Sequence, residues 1–461
     1  MFILDKKNKI CYLIIVIGLV FSIFNSINTT LKFDKFVKRS DGSYSHQIIY
    51  SQIKNLWSDA HLFKKDLDEN KNYLDSGGEL YHDYLYPKLI AFYYKTIGHE
   101  IKDEENNIVI KNYKFGIPII QSIIFFLSLI FFYRKISRKF DNITVIYTIA
   151  FLTLEPSLLQ YQSSYWSESL YLSLLLIMFC FFIEPPKQYY KYFLLGLLVG
   201  FLYMIRNVSI LLIVPLSFYF LIVNRKKGII YSLLMLVGYA LILSFIGLNE
   251  YKKSGVFYFT PHTQGEAHWI YVADKLNAKK NNISENESNE KRKKDLQNWI
   301  DKNQIDLRNL EDKKKVLDYK KNFFIDSLKG NIFEYIKLHV YKSLQYLLID
   351  FNHLNIYYNF DYTVERPWET NSFKKHLNLM IVYSLIIYLI CFFGLIRLVT
   401  INKENIKLAF FIILIPFYYY VMLGWTGITR YNAPNLIFLS VYFGFGIRFL
   451  YEKFYKLRLI K

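Results

Sequence analysis

Cysteine and charged residues are scarce in this chain of 461 residues. The three cysteines, Cys11, Cys180 and Cys391, each lie inside an apolar run. This placement excludes a disulfide framework and a cysteine-based zinc motif. Charged residues make up only 21% of the chain and hydrophobic residues 53%. That balance excludes a disordered protein and a cytosolic globular enzyme, because the apolar residues are grouped into long blocks.

The apolar blocks have the length that crosses a bilayer, about 17–25 residues. We predict about ten spans, and hence an all-α polytopic membrane protein. The spans lie near residues 10–27, 116–133, 143–158, 168–183, 191–205, 207–223, 229–248, 377–397, 407–423 and 434–450. The first block is too long for a signal peptide and no small-residue cleavage site follows it, so we expect a retained anchor.

The basic residues predict the orientation of these spans. With the N-terminus in the cytoplasm, the cytoplasmic segments are residues 1–9, 134–141, 184–191, 224–227, 397–407 and 448–461. They contain 20 of the 57 Lys and Arg residues but only 5 of the 38 Asp and Glu residues. This asymmetry predicts that both termini are cytoplasmic. Because the net charge of +19 is spread along membrane edges and forms no single patch, we exclude a nucleic-acid partner.

Two long segments, residues 28–115 and 249–376, then face outward. All nine histidines lie within these segments or at their edges. We divide the chain accordingly into a transmembrane module at 1–250, an extracytoplasmic region at 251–376 and C-terminal transmembrane helices at 377–461.

Local patterns predict the structure of the outward segments. Apolar residues at helical spacing in 44–57 and 84–97 predict amphipathic helices that lie on the membrane surface. Residues 256–259 form a β-like run, and the charged stretch 275–321 is typical of a solvated helical hairpin. Residues 331–351 are again amphipathic and are expected to return the chain to the bilayer surface.

Ionisable groups near span ends are candidates for function because charge is costly inside a membrane. Glu155, Glu168 and Arg206 lie at such ends, and Arg430 lies in a short outward segment. Snorkelling or a structural ion pair explains each residue alone equally well. Their convergence on the outer side favours a cavity for an amphiphilic substrate with an anionic head group.

Two further acids, Asp41 and Asp83, lie in the first outward segment. Asp41 ends a short polar stretch, so a helix cap is one interpretation. An ionised acid held near the membrane surface could also take a proton from an attacking hydroxyl or amine.

The order of these features resembles the GT-C superfamily of integral-membrane glycosyltransferases. It is more narrowly similar to the bacterial branch related to protein O-mannosyltransferases and lipid A aminoarabinose transferases. The segments that carry the resemblance are Asp41-Gly42-Ser43-Tyr44, His82-Asp83 through Pro87, Glu155-Pro156, Ser167-Glu168, the glycine-rich run from Gly196 to Arg206, and Gly427 through Arg430 to Pro434. This chain lacks the double proline that usually follows the second motif, and Asn207 replaces the proline that usually follows the arginine.

The resemblance implies transfer of a sugar from a polyprenyl-phosphate donor, with inversion, at the extracytoplasmic face. Asp41 would be the general base, and Arg206 with Arg430 would bind the donor phosphate. The residues expected to bind sugar or acceptor are Tyr44, His82, Asp83 and Glu168.

The predicted partners are the lipid-linked donor, the bilayer and an acceptor glycan, lipid or protein. We predict no cofactor, although some members of the superfamily use a divalent metal. The richness in Lys, Asn and Ile favours a bacterial plasma membrane. Two alternatives remain, namely a polysaccharide polymerase, which relies on arginines in outer loops, and a transporter of lipid-linked sugars. A transporter would need a polar path through both leaflets.

Overall fold

The computed structural model describes residues 6–33, 37–38, 44–45, 85–86, 89, 92, 100–102, 108–110, 116–162, 167–254, 257, 259, 266–306, 310–349, 371–402, 405–424 and 429–459. Within these residues the chain is almost wholly helical, which confirms the predicted all-α class. Two short antiparallel ladders accompany the helices. In the first, β1 (Val37–Lys38) pairs with β2 (Tyr44–Ser45), and in the second, β3 (Glu100–Lys102) pairs with β4 (Ile108–Ile110).

The described helices are numbered in chain order. They are α1 (Lys6–Phe33), α2 (Gly116–Lys139), α3 (Asn142–Leu154), α4 (Pro156–Gln162), α5 (Glu168–Ile183), α6 (Tyr190–Ile205), α7 (Ile213–Ser254), α8 (Glu266–Asn281), α9 (Glu285–Lys302), α10 (Leu310–Leu328), α11 (Ile332–Tyr346), α12 (Asn371–Ile401), α13 (Asn405–Leu423) and α14 (Ala433–Leu459). Short 3₁₀ turns, Asn207–Leu211 and Thr429–Asn432, precede α7 and α14.

Several of these helices can cross a membrane. Among the described residues, six helical stretches are long and apolar enough, and the bent pair of α3 and α4 would add a seventh. The protein is therefore a multi-pass membrane protein. Helices α5 and α6 have only 16 residues each, which is about 24 Å of helix. The count of ten spans stays a prediction.

Helix α7 reverses direction at Arg225, whose backbone has φ 47°. The limbs on either side pack against each other, since Ser232 Oγ donates to the carbonyl of Ser217 at 3.3 Å. Gly228 makes the turn possible, because a Cβ there would lie 2.0 Å from the carbonyl oxygen of Phe220. The two limbs match the separate apolar blocks that the sequence shows at 207–223 and 229–248.

Glycines bring α6 against the second limb of α7. A Cβ at Gly196 would lie 2.0 Å from the carbonyl oxygen of Met235, and one at Gly238 would lie 2.3 Å from that of Phe193. Small residues allow such close helix contact inside membranes, where packing replaces the hydrophobic effect between helices. The glycine-rich run thus fixes the axis of α6, and with it the position of Arg206 at its end.

The helices beyond α7 include an amphipathic group outside the candidate spans. Asp274 of α8 accepts from Arg292 of α9 at 2.9 Å, and the rings of Trp299 and Tyr319 lie 4.8 Å apart between α9 and α10. The charged stretch is therefore helical as predicted, but α9 and α10 both pack mainly on α8, so the simple two-helix hairpin stays a prediction.

Two local predictions are wrong in part. Tyr44 and Ser45 pair with Val37 and Lys38 in a strand instead of starting a helix, because the ladder satisfies their backbone groups. Phe257 and Phe259 are not in a strand. The carbonyl of Phe259 accepts from the Tyr203 hydroxyl, so a side chain takes the place of a neighbouring strand.

Candidate active site

Glu168 and Arg206 meet where α5 begins and α6 ends. Glu168 is the first residue of α5, and Arg206 leaves α6 in an extended conformation. Glu168 Oε1 and Arg206 Nη1 are 2.5 Å apart, and the two side chains are only 5% and 12% exposed. A carboxylate at a helix N-terminus also interacts favourably with the helix dipole. Two residues predicted separately thus form one buried ion pair.

Tyrosines surround the Arg206 guanidinium. Its central carbon lies 5.1 Å from the ring centroid of Tyr431 and 5.9 Å from that of Tyr171, which is cation–π range. The Tyr171 hydroxyl is hydrogen-bonded to Ser209 at 2.6 Å and also to the Tyr419 hydroxyl. Tyr171 and Tyr419 were not predicted from the sequence, because aromatic residues inside an apolar run are typical of any membrane helix. One signal was available, since Tyr171 follows Glu168 by three residues and shares its helix face.

The first outward segment reaches this site. The backbone N–H of Leu85 donates to the carbonyl of Met204 at 2.7 Å, and the N–H of Leu89 donates to that of Leu85 at 3.0 Å. Leu85, Tyr86, Leu89 and Phe92 are the described residues of the predicted helix at 84–97, and the three after Leu85 are helical. This backbone hydrogen bond holds Leu85 at Met204, which precedes Arg206 by two residues at the end of α6.

The other predicted site residues are not brought into contact with this pair by the described structure. Asp41, His82 and Asp83 lie outside the described residues. Tyr44 is described only as backbone in β2, and Arg430 only as backbone in the 3₁₀ turn before α14. Their roles stay predictions.

A polar network adjoins Arg206 from the side of α11. Asn435 Nδ2 donates to the Tyr346 hydroxyl at 3.1 Å, and Asn432 Nδ2 donates to the carbonyl of Leu347 at 3.0 Å and to the Tyr388 hydroxyl at 2.9 Å. Burial raises the pKa of Tyr346 above its usual range, while the nearby positive charge of Arg206 acts to lower it. Tyr346 is therefore a neutral hydroxyl. The amphipathic helix here was predicted from the sequence, but its polar partners were not.

Glu155 has a different environment. It lies at the break between α3 and α4, which bend by 52°, and it is 3% exposed. Its carboxylate accepts from the Tyr383 hydroxyl at 2.5 Å and from the Ser157 hydroxyl at 3.0 Å. These bonds attach the bend to α12, so Glu155 has a structural explanation.

Metal ligands do not cluster in the part of the chain that the structure describes, where no group of three or more His, Cys, Asp or Glu could hold an ion. The predicted acids Asp41 and Asp83 lie outside that part. Metal dependence therefore stays open.

A known protein family matches the region of the chain that contains the Glu168–Arg206 pair. Residues 82–252 match the Alg9-like mannosyltransferase family, and the matched stretch contains both Glu168 and Arg206. This match supports a membrane glycosyltransferase of the GT-C superfamily that works with lipid-linked sugars. The narrower similarity to the O-mannosyltransferase and aminoarabinose transferase branch is not confirmed. A comparison with curated proteins found no match.

The geometry of this glycosyltransferase suits an oxyanion near Arg206. A guanidinium is planar, stays charged and presents several N–H donors in a fork. Here one carboxylate and two ring faces hold that fork in place. A preorganised cation in a dry site acts strongly on a charge that develops beside it.

Proposed function

We propose that the protein transfers a sugar from a polyprenyl-phosphate donor to a lipid, glycan or protein acceptor, with inversion. The reaction takes place at the extracytoplasmic face of a bacterial plasma membrane, and both termini are cytoplasmic. The observation that carries the proposal is the buried Arg206, held by Glu168 between two tyrosine rings.

In the proposed step the acceptor oxygen bonds to the anomeric carbon of the donor sugar. The Asp41 carboxylate takes the acceptor proton, and the bond from the anomeric carbon to the phosphate oxygen breaks. The leaving polyprenyl phosphate keeps the electron pair, so its negative charge rises from one to two. Inversion follows because a single displacement occurs.

Arg206 interacts with this rising charge. The ion pair with Glu168 is neutral as a whole, so the singly charged donor phosphate is bound without a large excess of positive charge. The guanidinium attracts the doubly charged product more strongly, and binding that grows toward the transition state is what accelerates a reaction. Arg430 would add a second cation. Glu168, Asp83, Tyr44 and His82 would contact sugar or acceptor hydroxyls.

The test uses purified protein in lipid nanodiscs with radiolabelled polyprenyl-phosphate sugars. Polyprenyl-phosphate mannose comes first, because the matched family is one of mannosyltransferases. We expect release of labelled sugar to water or to added membrane extract. Release should be lost in Asp41→Asn while donor binding is retained. Release that persists in Asp41→Asn would remove Asp41 as the base. No release from any donor by folded wild type would overturn the proposed function.

A further inference from the structure

Three polar atoms are buried without a hydrogen-bond partner in the seam where α11 meets the end of α13 and the start of α14. They are His339 Nδ1, Ser343 Oγ and Asn435 Oδ1. Ser343 is 0% exposed and Asn435 is 2% exposed. Buried polar atoms almost always form hydrogen bonds, so a cluster of exceptions needs an explanation. A bound polar molecule would supply one.

The chemistry of His339 determines what that molecule must offer. Its ring packs edge-on against that of Tyr420, with the ring centroids 6.2 Å apart, and Nδ1 is buried without a partner. Burial lowers the pKa of His339, which favours the neutral ring, and a neutral imidazole has one nitrogen that accepts a hydrogen bond. We assign that role to the buried Nδ1, which then needs a donor.

Asn435 and Ser343 need the same kind of group. Both amide hydrogens of Asn435 are occupied by Nδ2 bonds to the Tyr346 hydroxyl at 3.1 Å and to Asn432 Oδ1 at 2.8 Å. Its unpartnered Oδ1 can only accept. The Ser343 hydroxyl can donate or accept. All three atoms can thus bind O–H groups, and two of them cannot bind a phosphate oxygen, which is itself an acceptor.

Glycine at position 424 lets the backbone come close to two of these side chains. A Cβ at Gly424 would lie 2.3 Å from Ser343 Oγ and 3.4 Å from His339 Nε2. His339, Ser343 and Tyr346 follow one another at the spacing of one helix face. The Tyr346 hydroxyl accepts a hydrogen bond from Asn435 and interacts electrostatically with Arg206. The seam therefore runs from Gly424 toward the Arg206 site.

We propose that this seam is the subsite for the donor sugar, whose hydroxyls donate to His339 Nδ1 and Asn435 Oδ1 and bond to Ser343. The inference rests on the proposed function, in which Arg206 takes the phosphate. The two subsites then divide the donor by hydrogen-bond character, since the phosphate only accepts and the sugar supplies donors.

The experiment measures displacement of a fluorescent polyprenyl phosphate from wild type and variants in nanodiscs. The competitors are polyprenyl phosphate and polyprenyl-phosphate mannose. Wild type should bind the glycosylated lipid more tightly. Ser343→Ala and His339→Leu should each weaken its binding about fivefold, the effect of one lost hydrogen bond. Neither should change binding of polyprenyl phosphate. His339→Asn, which keeps a polar atom near the position of Nδ1, should retain most of the affinity.

A matched control is Ser440→Ala in α14. Ser440 is also a fully buried serine, but its Oγ donates to the carbonyl of Ile437 at 2.7 Å. It should leave both affinities unchanged. Gly424→Ala provides a steric test and should weaken only the glycosylated lipid.

Three results would overturn the subsite. The first is that the seam variants bind both lipids as wild type does. The second is that they lose affinity for both lipids equally, as a packing defect would cause. The third is that wild type does not distinguish the two lipids. The release assay separates this failure from failure of the proposed function. If wild type releases sugar and the seam variants keep wild-type affinity for both lipids, the proposed subsite is wrong but the proposed transferase function stands.

Discussion

Helix α5 carries an acid at each end, and each acid meets a basic side chain in a different environment. At the first end, Glu168 and Arg206 are 5% and 12% exposed. At the other end, Glu184 is 41% exposed and contacts Lys135, and it lies 3.6 Å from Arg138, which is 65% exposed. The contacts have the same chemistry, but solvent reaches only the second.

This difference indicates what each end does. Exposed ion pairs contribute at most about 1 kcal/mol, and water screens them. At this end Arg448 also bonds Asp141 at 2.5 Å, where Asp141 caps α3. Such pairs fix helix ends. A buried pair gains little over apolar residues of the same size, so stability alone gives no reason for the pair at Arg206. The tyrosine rings around Arg206 are what support the proposed role in substrate binding.

The largest expected effect is on cysteine labelling, which shows the side of the membrane that α9 and the end of α14 face. We expect Glu290→Cys in α9 to react with an impermeant maleimide in intact cells. Lys453→Cys in α14 should react only after permeabilisation. The native cysteines are 1–4% exposed, so wild type serves as the unlabelled control. Labelling of Lys453→Cys in intact cells would contradict the proposed orientation.

The next effect is on catalysis. Arg206→Lys keeps the charge but loses the planar fork, and we expect sugar release to fall by about 100-fold or more, as for removal of a preorganised donor. Initial rates at saturating donor measure this. The matched variant Arg448→Lys, at the other end of the bundle, should stay within about twofold of wild type. Equal losses in both variants would mean that the two ends do not differ in function.

Stability should distinguish the two acids of α5. Glu168→Gln leaves Arg206 buried without its counter-ion, and we expect a loss of about 3–5 kcal/mol. Glu184→Gln should cost about 1 kcal/mol or less. Thermal unfolding of both variants in the same detergent gives the comparison. A cost for Glu184→Gln as large as that for Glu168→Gln would refute it.

The smallest effect is the pH dependence at Glu184. Hydrogen bonding to Lys135 is the largest cause that holds the pKa of Glu184 below its ordinary value of 4.5. A lowered pKa in the folded state gives stability above the unfolded value, and that stability is lost as pH falls through the folded value. The Tm of wild type should thus exceed that of Glu184→Gln at pH 6–7, and the gap should close below about pH 4.5. A gap that widens in acid would show that Lys135 is not the cause.

Local patterns in the sequence were sufficient to predict much of the fold. Apolar blocks predicted helices on both sides of Arg225, and apolar periodicity within the charged stretch predicted that α9 and α10 are helical. Glu168 and Arg206 were expected on the same side because the predicted topology places both at the outer ends of their spans. They lie 38 residues apart, so only the packing of α5 beside α6 shows that they touch.

The rest depended on contacts between distant parts of the chain. Tyr171 meets Tyr419, which is 248 residues away, and neither differs locally from other aromatic residues in a span. His339 and Ser343 fit an amphipathic pattern, which says nothing about unpartnered atoms on the inner face. Tyr44 was predicted as helical because periodicity does not show the pairing partner of a strand.

The Glu168–Arg206 pair also bears on how the chain enters the bilayer during synthesis. Tyr431 follows Arg206 by 225 residues, so α5 and α6 leave the ribosome long before the second ring arrives. Each charge alone would oppose insertion by several kcal/mol. Joined across neighbouring helices, the two charges cancel as soon as α6 is made. Pairing therefore reduces the cost that either charge alone would add to the insertion of an unfinished protein.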